Sequence, residues 1–127
     1  MPLITITLHK GRTSSEKRAI ADSIHDALVQ SGVPQHDRFQ RFLELSADDF
    51  IYDLTYPNLA NARSSKFIIV EILLSVGRSV KVKKELLKTL ISNLNERASI
   101  SPNDVMVVFK ETQWENWAFA HGELFHI

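Results

Sequence analysis

The sequence predicts an α/β (α+β) domain: two tandem β-α-β units forming one four-stranded mixed sheet, with two helices on one face. Three observations carry this. First, the chain repeats itself. "ITITLHKGRTSSEKRAIADSIHDAL" aligns with "VEILLSVGRSVKVKKELLKTLISNL", so that Gly11-Arg12 falls on Gly77-Arg78, Lys17 on Lys83, Ile24 on Leu90 and Leu28 on Leu94. A Gly-Arg shared at the same strand-to-helix junction makes duplication the economical reading. Second, the apolar spacing changes from strand-like to helix-like at matching points of both halves. Third, a helix that joins two strands of one sheet makes them parallel, with a right-handed crossover.

With 127 residues, the chain is expected to be one domain, 1–127. Its repeat halves span about 2–45 and 67–110, separated by a linker at 46–66 and followed by a tail at 111–127. In residues 3–9, alternation places Leu3, Thr5 and Thr7 on one face and Ile4, Ile6 and Leu8 on the other. Thr13-Ser14-Ser15-Glu16 matches a capping box, with Thr13 at the N-cap and Glu16 reaching back. The helix it opens carries Ile20, Ile24, Ala27, Leu28 and Ser31 on one stripe, and Gly32 is placed to end it. Residues 39–45 read as the second strand. Residues 67–75 are apolar on both faces, which places that strand in the centre of a sheet. Ser79 caps a second helix with Val82, Leu86, Leu87, Leu90, Ile91 and Leu94 inward, and residues 105–109 form the fourth strand.

Two helices on one face leave the other sheet face without cover of its own. A strand as apolar as 67–75 does not face water, so the chain is expected to assemble through that face as a closed oligomer. Glu71, inside that strand, is expected to meet a basic partner across the interface. The linker is long and polar, with Phe50, Tyr52 and Tyr56, and connections of such length are often functional. The tail holds both tryptophans, Trp114 and Trp117. A segment so aromatic must pack on its own subunit or on a neighbour.

Composition narrows the function classes. Formal net charge is zero, with 15 basic and 15 acidic residues, so no basic excess advertises nucleic acid binding. There is no cysteine, which excludes disulfides and thiolate metal sites. The longest apolar run, "FIIVEILL", is too short to span a bilayer and contains Glu71. "LITITL" is too short and too alternating for a signal peptide. A cytoplasmic protein with no membrane or nucleic acid partner is expected. His9, His25, His36, His121 and His126 show no ligand spacing, so no metal and no cofactor are assigned.

Pro2 has two readings. Proline suits a strand start because it donates no ladder hydrogen bond. Met1 before a small residue is also a substrate for aminopeptidase trimming. Pro2 would then carry a free secondary amine, in a class of group whose reference pKa is about 7.7–8.0, fit to act as acid or base. Arg78 and its repeat counterpart Arg12 both stand at a helix N-terminus. A cation there opposes the helix dipole and calls for another purpose. Asp37 reads either as a turn residue after Pro34 or as a functional carboxylate, with Arg38 as its ion-pair partner.

Met-Pro on a short strand, "GRT" at the junction, the duplicated unit, "PQHDRFQRF", "VGR" and "WENWAFAHG" together resemble the tautomerase superfamily. They come nearest to its long-chain branch, that of malonate semialdehyde decarboxylase and its relatives, over essentially the whole chain. The resemblance implies a homotrimer whose sheets line the interior, and a small oxo-carboxylic acid as substrate. It implies Pro2 as the catalytic amine and Asp37 as the residue that orders a water or proton. It further implies Arg78 as the carboxylate-gripping arginine, Arg12 and Arg38 as further substrate-binding candidates, and Trp117 and Phe119 as an aromatic wall. One departure is visible: Val76 stands where the decarboxylase carries the first arginine of an Arg-x-Arg pair. The expected activity is keto–enol isomerisation. The alternatives are decarboxylation or hydration of a 3-oxo acid, or a non-catalytic trimer that binds a small acid.

Overall fold

The capping signals form as written. In the computed structural model, which describes residues 1–125, the Thr13 hydroxyl accepts from Glu16 N at 3.1 Å and Glu16 Oε1 accepts from Thr13 N at 3.1 Å. The backbone hydrogen bond from Thr13 holds the Glu16 carboxyl below its ordinary value. This capping interaction is therefore complete above the ordinary carboxylate range and is lost as pH falls through the lowered value. The helix so opened is α1 (Ser14–Gln30), between strands β1 (Leu3–His9) and β2 (Gln40–Leu45). Ser79 likewise accepts from Val82 N at 3.2 Å and opens α2 (Val80–Ala98), between β3 (Ile68–Ser75) and β4 (Val105–Thr112).

The strand order is β2-β1-β3-β4. β1 is parallel to β2, β3 is parallel to β4, and the two units meet antiparallel through β1 and β3. At Thr5↔Glu71 repeat counterparts stand opposite each other, which makes this pair the centre of the internal two-fold. Gly11 and Gly77 have φ of 119° and 120°. The two junctions thus share a backbone turn that a side chain would strain, and this is why glycine recurs there.

Ile4, Ile6 and Leu8 of β1 and Ile68, Val70, Ile72 and Leu74 of β3 face the helices. They pack on Ile20, Ile24 and Leu28 of α1 and on Leu86, Leu90 and Leu94 of α2. Each such side chain contributes about 1.5–3 kcal/mol relative to exposure. The opposite face carries Leu3, Thr5, Thr7, Leu43, Ile69, Leu73 and Met106, with Leu43 and Met106 exposed. Across its middle runs a polar stripe: Arg41 Nε donates to Thr5 Oγ1 at 3.0 Å, and Lys110 Nζ lies 2.6 Å from Glu71 Oε1. The basic partner expected for Glu71 across an interface is therefore supplied by the neighbouring strand of the same chain.

Three expectations change. β4 runs on to Thr112, because Lys110, Glu111 and Thr112 continue the backbone ladder to Leu73, Leu74 and Ser75. Ladder hydrogen bonds are indifferent to the polarity that ended the apolar pattern at Phe109. Ser31 is the cap of α1 rather than part of its buried stripe, and its hydroxyl donates to Leu28 O at 2.8 Å. The linker is less open than its composition suggests. Phe50 is buried, and its ring packs with His9, Tyr52 and Phe67. Among the described residues, no helix is long and apolar enough to cross a membrane.

Candidate active site

The site forms where the start of β1, the α1–β2 turn, the β3–α2 junction and the tail converge. The turn is set first. Pro34 O accepts from Asp37 N at 3.0 Å, and the buried His25 on α1 reaches Gln35 O through Nε2 at 2.8 Å. A carbonyl only accepts, so Nε2 carries the proton. His25, which sequence reasoning did not single out as functional, thereby fastens to the helix the turn that carries Asp37. Met1 N lies 3.1 Å from Asp37 Oδ2, and the carboxylate is only 14% exposed. Asp37 Oδ1 is buried and accepts no hydrogen bond among the described residues. A buried carboxylate oxygen without a donor is rare and points to a missing partner. Pro2 is buried directly behind Met1.

Arg78 arrives from the β3–α2 junction. Its Nη1 makes one long hydrogen bond, 3.3 Å, to Ser75 O. The rest of the guanidinium faces a cavity of about 530 Å³ that Met1, Asp37, Phe39, Trp114, Phe119 and Phe125 also line, with Gly32, Val33 and Pro34. The aromatic wall is a stack. Trp117 and Phe119 lie parallel within 8° at 5.7 Å, and Phe119 stacks in turn on Phe39 at 5.6 Å. Trp117 Nε1 donates to Ser75 Oγ at 2.8 Å and Trp114 Nε1 to Val76 O at 3.0 Å. The tail thus packs on its own subunit, and the two indole hydrogen bonds fix its path over the β3–α2 junction.

The structure brings together Asp37, Arg78, Phe119 and the chain start. It does not bring Arg38 or Arg12. The expected Asp37–Arg38 pair is absent: Arg38 turns away, with Nη2 2.6 Å from Asp22 Oδ1 and Nε 2.8 Å from Gln40 Oε1, in a separate groove beside α1. Successive residues leaving a turn point to opposite sides, which one-dimensional adjacency conceals. Arg12 donates through Nη2 to Lys66 O at 2.8 Å, and burial draws its guanidinium below its ordinary value against the opposing charges of Glu16 and Asp104. Trp117 is one layer behind the cavity, and Trp114 and Phe39 take the wall positions. The signal for Phe39 was its place directly after the Asp37 turn. Trp114 had only its position in an aromatic tail.

The second half of the repeat contains the same corner, closed by the linker. Where Asp37 holds the chain start, Asp104 accepts from Ser64 N at 2.7 Å and Ser64 Oγ at 2.6 Å. Where Arg78 faces a cavity, Arg12 clamps Lys66. Tyr52 donates to Ser64 O at 2.8 Å, so the 3.0 Å contact with His9 is a donation from His9 Nε2. Asp104→Ala is expected to lower unfolding free energy by about 3 kcal/mol, since hydrogen bonds to a charged acceptor contribute about 1.5–3 kcal/mol each. Urea unfolding reads this, and a loss under about 1 kcal/mol contradicts the clamp. Among the described residues, no group of His, Asp and Glu side chains converges as a metal site requires; His126 lies outside them.

A duplicated β-α-β sheet with an acid, a guanidinium and the chain's own N-terminus in one aromatic corner defines a class, and the sequence comparisons agree with it. The chain belongs to the tautomerase family: two family models, each described as a tautomerase enzyme, match residues 2–54 and 37–120. Among solved structures it is similar to malonate semialdehyde decarboxylase, at 30% identity and a TM-score of 0.88, covering 95% of this chain and 92% of that one. A second malonate semialdehyde decarboxylase, inhibited by 3-bromopropiolate, matches at 30% identity and 0.88, covering 95% and 91%. A fused 4-OT that forms a symmetric trimer matches at 25% identity and 0.76, covering 96% and 94%.

Proposed function

We propose that this chain, once Met1 is removed, is an isomerase that uses the Pro2 nitrogen for keto–enol isomerisation of an oxo-carboxylic acid. The observation that carries the reading is the corner itself. The chain's terminal nitrogen, a buried carboxylate oxygen without a donor and a half-buried guanidinium all border one aromatic-walled cavity. Arg78 would hold the substrate carboxylate and draw enolate charge toward itself. Pro2 would carry the proton between carbon and oxygen, and Asp37 would orient the nitrogen. Phe119 and Trp114 would keep water from the enolate. The test is hydrogen–deuterium exchange at the carbon next to the carbonyl, C3 of 2-oxo acids and C2 of 3-oxo acids, with untagged protein shown by intact mass to begin at Pro2. Exchange above the buffer rate is expected. Its absence for every acid would overturn the reading.

Decarboxylation or hydration of a 3-oxo acid is the second reading. The open Asp37 oxygen favours it, since it could order a water, as does the 30% identity with malonate semialdehyde decarboxylase. Val76 in place of a second arginine weighs against it.

Homotrimer assembly through the sheet face opposite the helices belongs to the same proposal. Leu3, Leu43, Ile69, Leu73 and Met106 form the apolar patch it would cover. Leu73→Asp should then produce monomer or unfolded chain, because burying an unpaired charge costs several kcal/mol. Sedimentation of the parent chain as a stable monomer at micromolar concentration would refute the assembly.

A further inference from the structure

Resting on the reading that Asp37 orients the Pro2 nitrogen, we infer that His25 is a positioning residue of the active site: its hydrogen bond to the Gln35 carbonyl holds the turn that points Asp37 at the chain start. His25 is a buried titratable side chain that the proposed reaction does not otherwise use. It stands on the inward face of α1 with Ile24, Ala27 and Leu28 and is 3% exposed. A leucine there would serve the core, whereas an imidazole brings polar atoms whose burial costs free energy unless they are hydrogen-bonded. Nε2 meets Gln35 O at 2.8 Å, ten residues along the chain and outside the helix. The imidazole thus serves the turn rather than the core.

Asp37 depends on such support. Among the described residues, Oδ1 has no hydrogen-bond partner and Oδ2 meets the nitrogen of Met1. The carboxylate therefore points where the backbone of its turn sends it. That turn, 34–37, belongs to neither α1 nor β2. One flank is tied to α1 through His25. The other is tied by Arg38 to Asp22 at 2.6 Å and by Gln40 Nε2 to Ala21 O at 2.8 Å. Ala21, Asp22 and His25 lie within about one helical turn, so both flanks hang from the same short stretch of α1. Of these tethers the one from His25 is the most deeply buried, and a hydrogen bond in a low-dielectric interior is stronger than one in water. Breaking it leaves Gln35 O without its donor and releases the turn that carries Asp37.

The readout is the pKa of the terminal nitrogen, which a merely structural role would not move. A close carboxylate favours the charged form of an amine and raises its pKa by about 1–3 pH units. Among the described residues, the charged side chains bordering the cavity at that nitrogen are Asp37 from the turn and Arg78 from the β3–α2 junction. Protein shown by mass to begin at Pro2 carries isotope-labelled proline and is titrated by nitrogen NMR. Pro34, Pro57 and Pro102 are amides and do not titrate. Asp37→Asn should lower the Pro2 pKa by at least about one pH unit. His25→Leu should lower it part of the way with unchanged circular dichroism. In the Asp37→Asn background it should add nothing, since both changes act through one contact. His25→Gln, which keeps a donor of similar reach, should restore the parent value. In exchange with an oxo acid, His25→Leu should lower kcat and leave KM, which Arg78 sets. A parent pKa in His25→Leu overturns the inference, as does an equal fall in both backgrounds; either leaves the isomerase reading standing. No fall in Asp37→Asn overturns the role of Asp37 and the inference with it. The expected titration in a protein that exchanges no oxo acid supports the His25–Asp37 coupling and overturns the isomerase reading instead. His25→Asn, whose amide is too short for Gln35 O, gives the same readout should the leucine variant not fold.

Discussion

A chain that retains any residue ahead of Pro2 is expected to lose about 10²–10⁴-fold in kcat, the range contributed by a positioned general acid or base. Two effects act together. The Pro2 nitrogen becomes a tertiary amide, whose lone pair is delocalised and cannot accept a proton. The added residue also occupies the corner: Met1 itself borders the cavity, and its amine takes Asp37 Oδ2 at 3.1 Å. Removal of Met1 would free that carboxylate, which the proposal has orient the Pro2 nitrogen instead. The comparison is between untagged protein and protein with a non-cleavable N-terminal extension, both verified by intact mass. Pro2→Ala, which keeps a primary amine at the same place, should retain more activity than the extended chain. Full activity in the extended chain would eliminate Pro2 as the proton carrier.

Arg78→Ala is expected to lower kcat/KM on every acid substrate by about ten- to a hundredfold, the equivalent of a charge-assisted hydrogen bond of about 1.5–3 kcal/mol. Its stability should change little, because the guanidinium makes one long hydrogen bond within the chain. Arg78→Lys should recover only part of the loss, since an ammonium cannot form the two-pronged contact with a carboxylate. Circular dichroism and steady-state kinetics decide the matter together. Unchanged turnover in Arg78→Ala would show that the carboxylate is held elsewhere. The structure provides no alternative in Arg38, which is committed to Asp22, or in Arg12, which is committed to Lys66 O.

The duplication explains why one corner of the chain is open and its counterpart is not. Both halves build a turn acid and a junction arginine. In the first, the acid meets the nitrogen of Met1. In the second, it meets the linker, whose Ser64 and Lys66 satisfy Asp104 and Arg12 permanently. Under the proposed function only the first corner could work, because only it borders the terminal nitrogen.

The linear sequence by itself determined the elements and their layering. Local signals sufficed there: the Thr13 box, the Ser79 cap, the paired glycines, and apolar spacing that puts Ile4 and Ile6 inward and Leu3 and Thr5 outward. These depend on residues a few positions apart, and the repeat supplied each signal twice. It also put Asp37 in the turn after α1 and Arg78 at the β3–α2 junction, positions local to those elements. What only the tertiary structure decided were the contacts between segments distant along the chain. Asp37 and Arg38 are adjacent in sequence, yet one faces the N-terminus and the other Asp22. Arg12 and Arg78 are equivalent by repeat, yet only the fold shows that the linker covers the first. Trp114 and Trp117 sit in one short tail, and which of them lines the cavity depends on whether its indole reaches Val76 O or Ser75 Oγ. Glu71 found its cation on the adjoining strand because the β3–β4 register sets Val108 opposite it and Lys110 two residues further on, on the same face. A side chain's direction is set by the backbone it stands on, but its partner is set by whatever the rest of the chain folds against it.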